Sequence, residues 1–401
     1  MNKQELTYAA EKWGTPLYLF DIRELEKTVE GFRAALGSGV GLCFAVKANP
    51  FVLPEMAQLT DRIEVCSMGE YRICRKCGIE PEKLLISGVL KKEADLREIF
   101  RECGGRCCYT AESKRQYELL AKLSREAAET VRVFPRLSNG SQFGMDRREI
   151  EEILTDAGER QNLKIQGLHY FTGTQKKKID KIEKELAMLD QLLLEWKEAH
   201  GFVPEELEYG PGLWVDYFGN GKEDPQIQRE QLGELVAGMC FDGTVVLEMG
   251  RALAAYCGSY LTSVLDMKST GDRHYAIVDG GLHQLSYDGQ IRGMYVPKMQ
   301  VLRRGQDALG HEARDAQTQQ EWTVCGSLCT TNDVLVQQMK TPELAVGDVL
   351  VFEQTGAYSV MEGMAVFLSH ELPAVVSCNT AGEWHLLREQ VETYLFNTPA
   401  W

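Results

Sequence analysis

The stretch Lys164-Ile-Gln-Gly-Leu-His169 is followed by an amphipathic segment from Ile179 to Trp196 and then by Glu205-Glu-Leu-Glu-Tyr209. In the middle segment Ile179, Ile182, Leu186, Leu189, Leu193 and Trp196 recur three and four apart. That spacing places them on one face of a helix. The flanking segments have the length and bounding of strands, so the unit reads strand, helix, strand. The same alternation continues outward in both directions, from about residue 39 to 250. It supplies eight strand candidates, at 40–46, 62–66, 83–87, 106–109, 131–136, 164–169, 205–209 and 244–248. Eight strands alternating with helices is the count of a (β/α)₈ (TIM) barrel. An open doubly wound sheet shares the alternation, and pattern alone leaves it open.

Beyond residue 251 the period changes. Segments 255–266, 273–278, 334–338, 348–353, 363–369, 373–377 and 383–388 are short, rich in Val, Leu and aromatics, and separated by Gly, Asp, Asn and Pro, as strands of a β-domain are. Pro16-Leu-Tyr-Leu-Phe20 reads as a further strand, to be paired with the C-terminal sheet. The expected fold class is therefore α/β, a barrel over 26–250 with a discontinuous β-sandwich or β-barrel domain built from 1–25 and 251–401.

Two domains suit a chain of 401 residues. With 44% hydrophobic and 26% charged residues the composition is that of a soluble globular protein. A net charge of −15 argues against nucleic acid and anionic membrane as partners, since both need a basic face. No apolar run is long enough to span a bilayer, and the N-terminus lacks an apolar signal core, so a cytoplasmic protein is expected. Among the 12 cysteines only Cys74 and Cys77 form a CxxC pair, inside a stretch that reads as a helix. A structural zinc site needs two such pairs, so the cysteines read as reduced thiols and no metal is expected.

Catalytic groups of a (β/α)₈ barrel lie just past the C-terminal ends of its strands. Those positions hold Lys47 after strand 1, Ser87-Gly88 after strand 3, Arg136 on strand 5 and His169-Tyr-Phe-Thr-Gly-Thr-Gln175 after strand 6. Gly210-Pro-Gly212 follows strand 7, and Glu248-Met-Gly-Arg251 ends strand 8. Taken singly, a lysine after a strand is a solvated residue, Gly-Pro-Gly is a turn, and Glu248 with Arg251 opens a helix. Together, at one end of one barrel, they point to a site. The loops after strands 7 and 8 are where such barrels hold phosphate; here they carry Gly210, Gly212, Gly250 and Arg251. Glycines let backbone N–H groups approach phosphate oxygens. A lysine, a phosphate cradle and a carboxylate for a ring nitrogen suggest pyridoxal 5'-phosphate.

The chain resembles the alanine-racemase-fold decarboxylases, fold type III pyridoxal-phosphate enzymes that include diaminopimelate and eukaryotic-type ornithine decarboxylase. The resemblance rests on Ala45-Val-Lys47-Ala-Asn, Gly173-Thr-Gln, Glu248-Met-Gly-Arg251, Val278-Asp-Gly-Gly281, Cys325-Gly-Ser-Leu-Cys329-Thr-Thr-Asn-Asp333 and Gly356-Ala-Tyr358. It implies that Lys47 carries the cofactor and that Glu248 bonds its ring nitrogen. Gly210, Gly212, Gly250, Arg251, Thr174 and Tyr358 would bind the phosphate, with Arg136 behind the cofactor. Cys329, supplied by the partner of a homodimer with shared active sites, would return a proton to Cα after carbon dioxide leaves. Asp333 would lie near the substrate side chain.

Departures from the family pattern bear on substrate. Phe171 stands where the family stacks a histidine on the cofactor ring. His169, two residues earlier, is expected to point into the barrel toward the substrate. Thr330 follows Cys329 where diamine-forming and diaminopimelate enzymes carry an acid that grips a distal amino group. The stretch Leu282-His-Gln-Leu-Ser-Tyr287 replaces the Arg-Pro motif of diaminopimelate enzymes. These features count against diaminopimelate, lysine and ornithine. The motifs are similar to those of decarboxylases acting on a glutamyl group tethered to an acyl carrier protein. Lys176-Lys-Lys178 would lie on the rim of the site as a basic patch for such a carrier. A racemase of the same fold would use a tyrosine opposite the lysine rather than Cys329. A non-catalytic cofactor-binding relative would have lost Lys47 or Cys329.

Overall fold

A computed structural model describes residues 1–156, 162–219, 221, 224–303, 319–342 and 344–400. The chain divides into two compact units, one of Thr28–Val215 with Glu223–Leu253, the other of Met1–Lys27, Asp216–Lys222 and Ala254–Trp401.

The first unit is a closed parallel barrel. Its strands are Val40–Ala45, Arg62–Val65, Leu84–Ile86, Cys108–Ala111, Val131–Leu137, Gly167–Phe171, Glu206–Gly210 and Thr244–Met249. Each pairs in parallel with the next, and the eighth returns to the first with Val245 opposite Val40 and Met249 opposite Phe44. Closure excludes the open doubly wound sheet. The sixth strand differs from its expected span. It is split into Leu163–Ile165 and Gly167–Phe171, and both pieces pair with Val131–Leu137. A Cβ at Gly167 would overlap the carbonyl oxygen of Glu206, so glycine alone lets the sixth and seventh strands meet there. The fourth strand starts two residues later than the pattern suggests, because Gly104–Arg106 is spent on a 3₁₀ turn.

The helix Ile179–His200 buries Ile182, Leu186, Leu189, Leu192, Leu193 and Trp196 and stops at Gly201, whose φ of 62° ends it in the left-handed region. Leu189 is fully buried. Leu189→Ala should lower unfolding free energy by about 2–5 kcal/mol, read as a fall in the urea midpoint at unchanged slope. A loss below about 1 kcal/mol would mean that the neighbouring residues collapse into the space.

The second unit is a mostly antiparallel sheet. Leu17–Asp21 lies between Gly258–Thr270, antiparallel, and Ala374–Cys378, parallel. Gly258–Thr270 also pairs with Arg273–Val278 and Val349–Glu353. Trp384–Arg388, Gln319–Cys325, Val334–Pro342 and Met299–Leu302 complete it. The N-terminal helix Lys3–Trp13, closed by an Asn2–Glu5 capping box, sets Leu6, Ala9 and Ala10 into a core with Leu17, Leu19 and Leu261. The expected strand at 363–369 does not form. Leu368 and Ser369 both adopt φ of 56°, which an extended chain cannot accommodate. Among the described residues no helix is long and apolar enough to cross a membrane.

Candidate active site

Charged residues at every second position of the barrel strands share one face, and here that face is the interior. Arg62 and Glu64 come from the second strand, His169 from the sixth, Glu206 and Glu208 from the seventh, and Glu248 from the eighth. Buried charges persist only when paired, and these form two layers. Arg62 pairs with Glu208 at 2.5 Å and with Glu206 at 2.6 Å. In the other layer, Lys47 follows the first strand in a 3₁₀ turn, Val46–Ala48, and its Nζ lies 2.7 Å from Glu64 Oε2 and 3.8 Å from Glu248 Oε1. The other Glu248 oxygen is 2.9 Å from His169 Nε2, and both residues are buried. Burial alone would push the Glu248 carboxyl up, but the Lys47 ammonium and the His169 hydrogen bond outweigh it and hold it well below the usual carboxylate range. Cys66 also reaches this layer. Its thiol donates to Glu64 Oε1 at 3.0 Å and lies 3.5 Å from Lys47 Nζ.

Arg136, from the fifth strand, bonds Glu112 at 2.7 Å, and the second Glu112 oxygen accepts the Gly144 N–H. The guanidinium lies 5.0 Å from the Phe143 ring centre and 5.9 Å from that of Phe171, as cation–π contact requires. Its buried Nε has no hydrogen-bond partner among the described residues.

The loops after the sixth, seventh and eighth strands converge. Gly212 has φ of 61°, and a Cβ there would overlap the Gly173 carbonyl oxygen. Gly210 packs so closely under the Phe171 ring that a side chain would strike it. Thr174 is exposed, and its hydroxyl accepts from Arg251 Nε at 3.4 Å. Gly250 precedes Arg251, which opens the short helix Arg251–Ala254 and is buried. An amine, an anionic carboxylate, and an arginine beside a hydroxyl and glycine backbone are the donor set that pyridoxal phosphate needs for its aldehyde, ring nitrogen and phosphate.

The remaining sequence candidates lie in the second unit. Cys329 is exposed and Thr330 half-buried. Asp333 is 2% exposed, and its two oxygens accept the backbone N–H groups of Leu282 and Leu328, each at 2.8 Å. Burial pushes its carboxyl up, against those two bonds. Tyr358 is half-buried with φ of 66°.

Of the expected basic patch at Lys176–Lys178, the structure corrects Lys176. Lys176 is buried, with its ammonium 2.6 Å from Glu185. Lys177 and Lys178 are exposed; Lys177 lies over the Trp214 ring at 5.4 Å, and Lys178 stands at the N-cap position of the following helix with no side-chain capping bond. The cause is the Glu185 carboxylate, which sits nine residues on and draws Lys176 inward. Sequence reading also passed over Glu64, Cys66, Glu112 and Glu185. Only Glu64 left a signal, as the second of two charges spaced two apart in an otherwise apolar strand.

The family profile for the pyridoxal-dependent decarboxylases, pyridoxal binding domain, matches residues 22–255. L-glutamyl-[BtrI acyl-carrier protein] decarboxylase of Niallia circulans is 27% identical over 97% of this chain and 94% of its own length. Diaminopimelate decarboxylase of Pseudomonas aeruginosa is 30% identical over 88% and 85%. In fold, diaminopimelate decarboxylase of M. jannaschii superposes with a TM-score of 0.82 over 96% of this chain and 92% of that one, at 20% identity.

Proposed function

The chain belongs to the pyridoxal-phosphate-dependent decarboxylases, and we propose that within this family it acts on an aminoacyl group tethered to an acyl carrier protein rather than on a free diamino acid. The observation that carries this is Asp333. Thr330 has no charge for a distal ammonium, and Asp333, the acid three residues on, is buried with both oxygens committed to backbone N–H groups. The segment around Cys329 therefore offers no free carboxylate for a diamine. The full-length similarity to a glutamyl carrier-protein decarboxylase supports the tethered alternative.

Pyridoxal phosphate supplies, when bound, the electron-withdrawing ring that allows the bond from Cα to the carboxylate to break. We assign the protein's contributions as follows. Lys47 holds the aldehyde end. Glu248, kept ionised by Lys47 and His169, would accept a hydrogen bond from the protonated ring nitrogen. Arg251, Thr174, Gly210, Gly212, Gly250 and Tyr358 hold the phosphate, while Arg136 and Phe171 pack about the ring. Cys329 gives the proton that Cα receives after carbon dioxide departs.

Self-association belongs to the same reading. Met361, Met364, Val366, Phe367 and Leu368 are 43–51% exposed, and Phe396 is 65% exposed. Asn397 ties the two segments together through Val366 O and Ser369 Oγ. Such an apolar face marks an interface, and a second copy covering it makes the homodimer. Free lysine, ornithine and diaminopimelate should each be turned over at least about a hundredfold less efficiently than a glutamyl carrier protein, as expected when a site lacks a charged partner. Carbon dioxide release from the four substrates is the measurement. Comparable turnover of any free diamino acid would overturn the substrate assignment.

A further inference from the structure

We infer that Glu185 is a positioning residue for the cofactor phosphate, acting through the loop Thr172–Lys176. This rests on the assignment of Thr174, Gly212 and Arg251 to the phosphate made above.

Glu185 lies about one turn and a half into the helix Ile179–His200. Its carboxylate gathers three donors. Thr172 Oγ1 reaches one oxygen at 2.6 Å, and Lys176 Nζ and Tyr209 OH reach the other at 2.6 and 2.7 Å. Thr172 and Lys176 are the two ends of one five-residue loop, and Tyr209 belongs to the seventh strand. One half-buried charge thus fixes both ends of the loop to the strand beside it. Between those ends lie Gly173, with φ of 135° and open space where a side chain would stand, Thr174 and Gln175. Gln175 takes φ of 56°, a conformation rare outside glycine. Its side-chain amide pairs both ways with the Val215 backbone, accepting at 2.7 Å and donating at 3.3 Å. The Lys176 N–H adds a bond to Gly212 O at 2.9 Å. The loops after the sixth and seventh strands are therefore clamped to each other, with Gly173 and Thr174 at the open point. Phosphate is held well by donors that are fixed before it arrives. Lys176, burying its charge against Glu185, contributes to the clamp rather than to a surface.

The test separates phosphate binding from general damage. The full chain, purified as holoenzyme and stripped with hydroxylamine, would be titrated with pyridoxal phosphate and with pyridoxal, which lacks the phosphate. Glu185→Gln should weaken pyridoxal phosphate by about tenfold or more, while pyridoxal changes by less than about twofold. Tyr209→Phe, which removes a single donor and keeps the ring, should move in the same direction by about threefold, and it keeps the test available if Glu185→Gln does not fold. Equal weakening of both ligands, or no change in either, would overturn the inference. Thr174→Val and Arg251→Met serve as the reference. If they erase the preference for the phosphorylated ligand and Glu185→Gln and Tyr209→Phe do not, the clamp fails and the cradle stands. If Thr174→Val and Arg251→Met leave the preference intact, the cradle assignment itself fails, and the clamp with it.

Discussion

Lys47→Ala should lower decarboxylation by roughly ten-thousandfold, the upper range for removing a group that takes part in proton and bond transfer at the reacting centre. The structure makes the identity of the lysine a real question, because Lys91 also lies close to Glu64, Glu112 and Arg136. Lys47 is held by charges, Glu64 at 2.7 Å and Glu248 at 3.8 Å. Lys91 is held by neutral acceptors, the Gly88 carbonyl at 2.8 Å, the Thr110 hydroxyl at 3.1 Å and the Gln116 amide at 3.3 Å. Burial, opposed in part by Glu112, lowers Lys91 to about 8, which eases its deprotonation. Position decides against it. The Glu248 carboxylate, the group suited to a pyridine nitrogen, is paired with Lys47. Borohydride reduction of the holoenzyme followed by peptide mapping should leave the reduced cofactor on Lys47. A label on Lys91 would overturn the whole set of roles assigned to the barrel.

The second large effect is expected at Cys329. Cys329→Ala should release carbon dioxide about a hundredfold more slowly, and part of the product should be aldehyde rather than amine, because the proton reaches the wrong carbon. Product analysis reads this directly. If the thiol belongs to a second copy, mixing Lys47→Ala with Cys329→Ala should recover about a quarter of wild-type activity, since half of randomly exchanged dimers are hybrids with one intact site of two. Wild-type product ratios from the cysteine variant would remove it from the reaction. No recovery on subunit exchange would place the acid in the same chain as the lysine.

The barrel was legible because its signal is repeated eight times and each repeat is local. Helix Ile179–His200 shows its stripe in the sequence, and the strand ends locate Lys47, Arg136, His169, Glu248 and Arg251. Boundaries were less so. Before Cys108–Ala111 a 3₁₀ turn, Gly104–Arg106, delays the start of the strand, and at 363–369 left-handed Leu368 and Ser369 cancel a favourable composition. Gln319–Cys325 was missed for the opposite reason. Its Gln, Glu and Thr residues look like loop, yet Trp322 and Val324 alternate inward. Apart from Glu64, the supporting carboxylates were illegible because their partners come from other elements. Glu112 meets Arg136 and Glu64 meets Lys47 only once neighbouring strands pair, and a lone Glu on a helix, like Glu185, reads as solvated until its three donors are in place.

Strand Leu17–Asp21 has a consequence for how the molecule is made. Every one of its residues is destined for burial, and its parallel partner Ala374–Cys378 is made more than 350 residues after it. At roughly 5–20 residues per second the wait is on the order of twenty seconds to over a minute. Through that interval the barrel can fold, since all of its strands lie between. The N-terminal strand cannot pair until Gly258–Thr270 has been made, and its second edge stays open until Ala374–Cys378 follows; meanwhile it carries Leu17, Tyr18, Leu19 and Phe20. Nascent chains should therefore depend on holding chaperones for their first segment. Removing residues from about 374 onward should send the protein to aggregates even though the barrel sequence is intact.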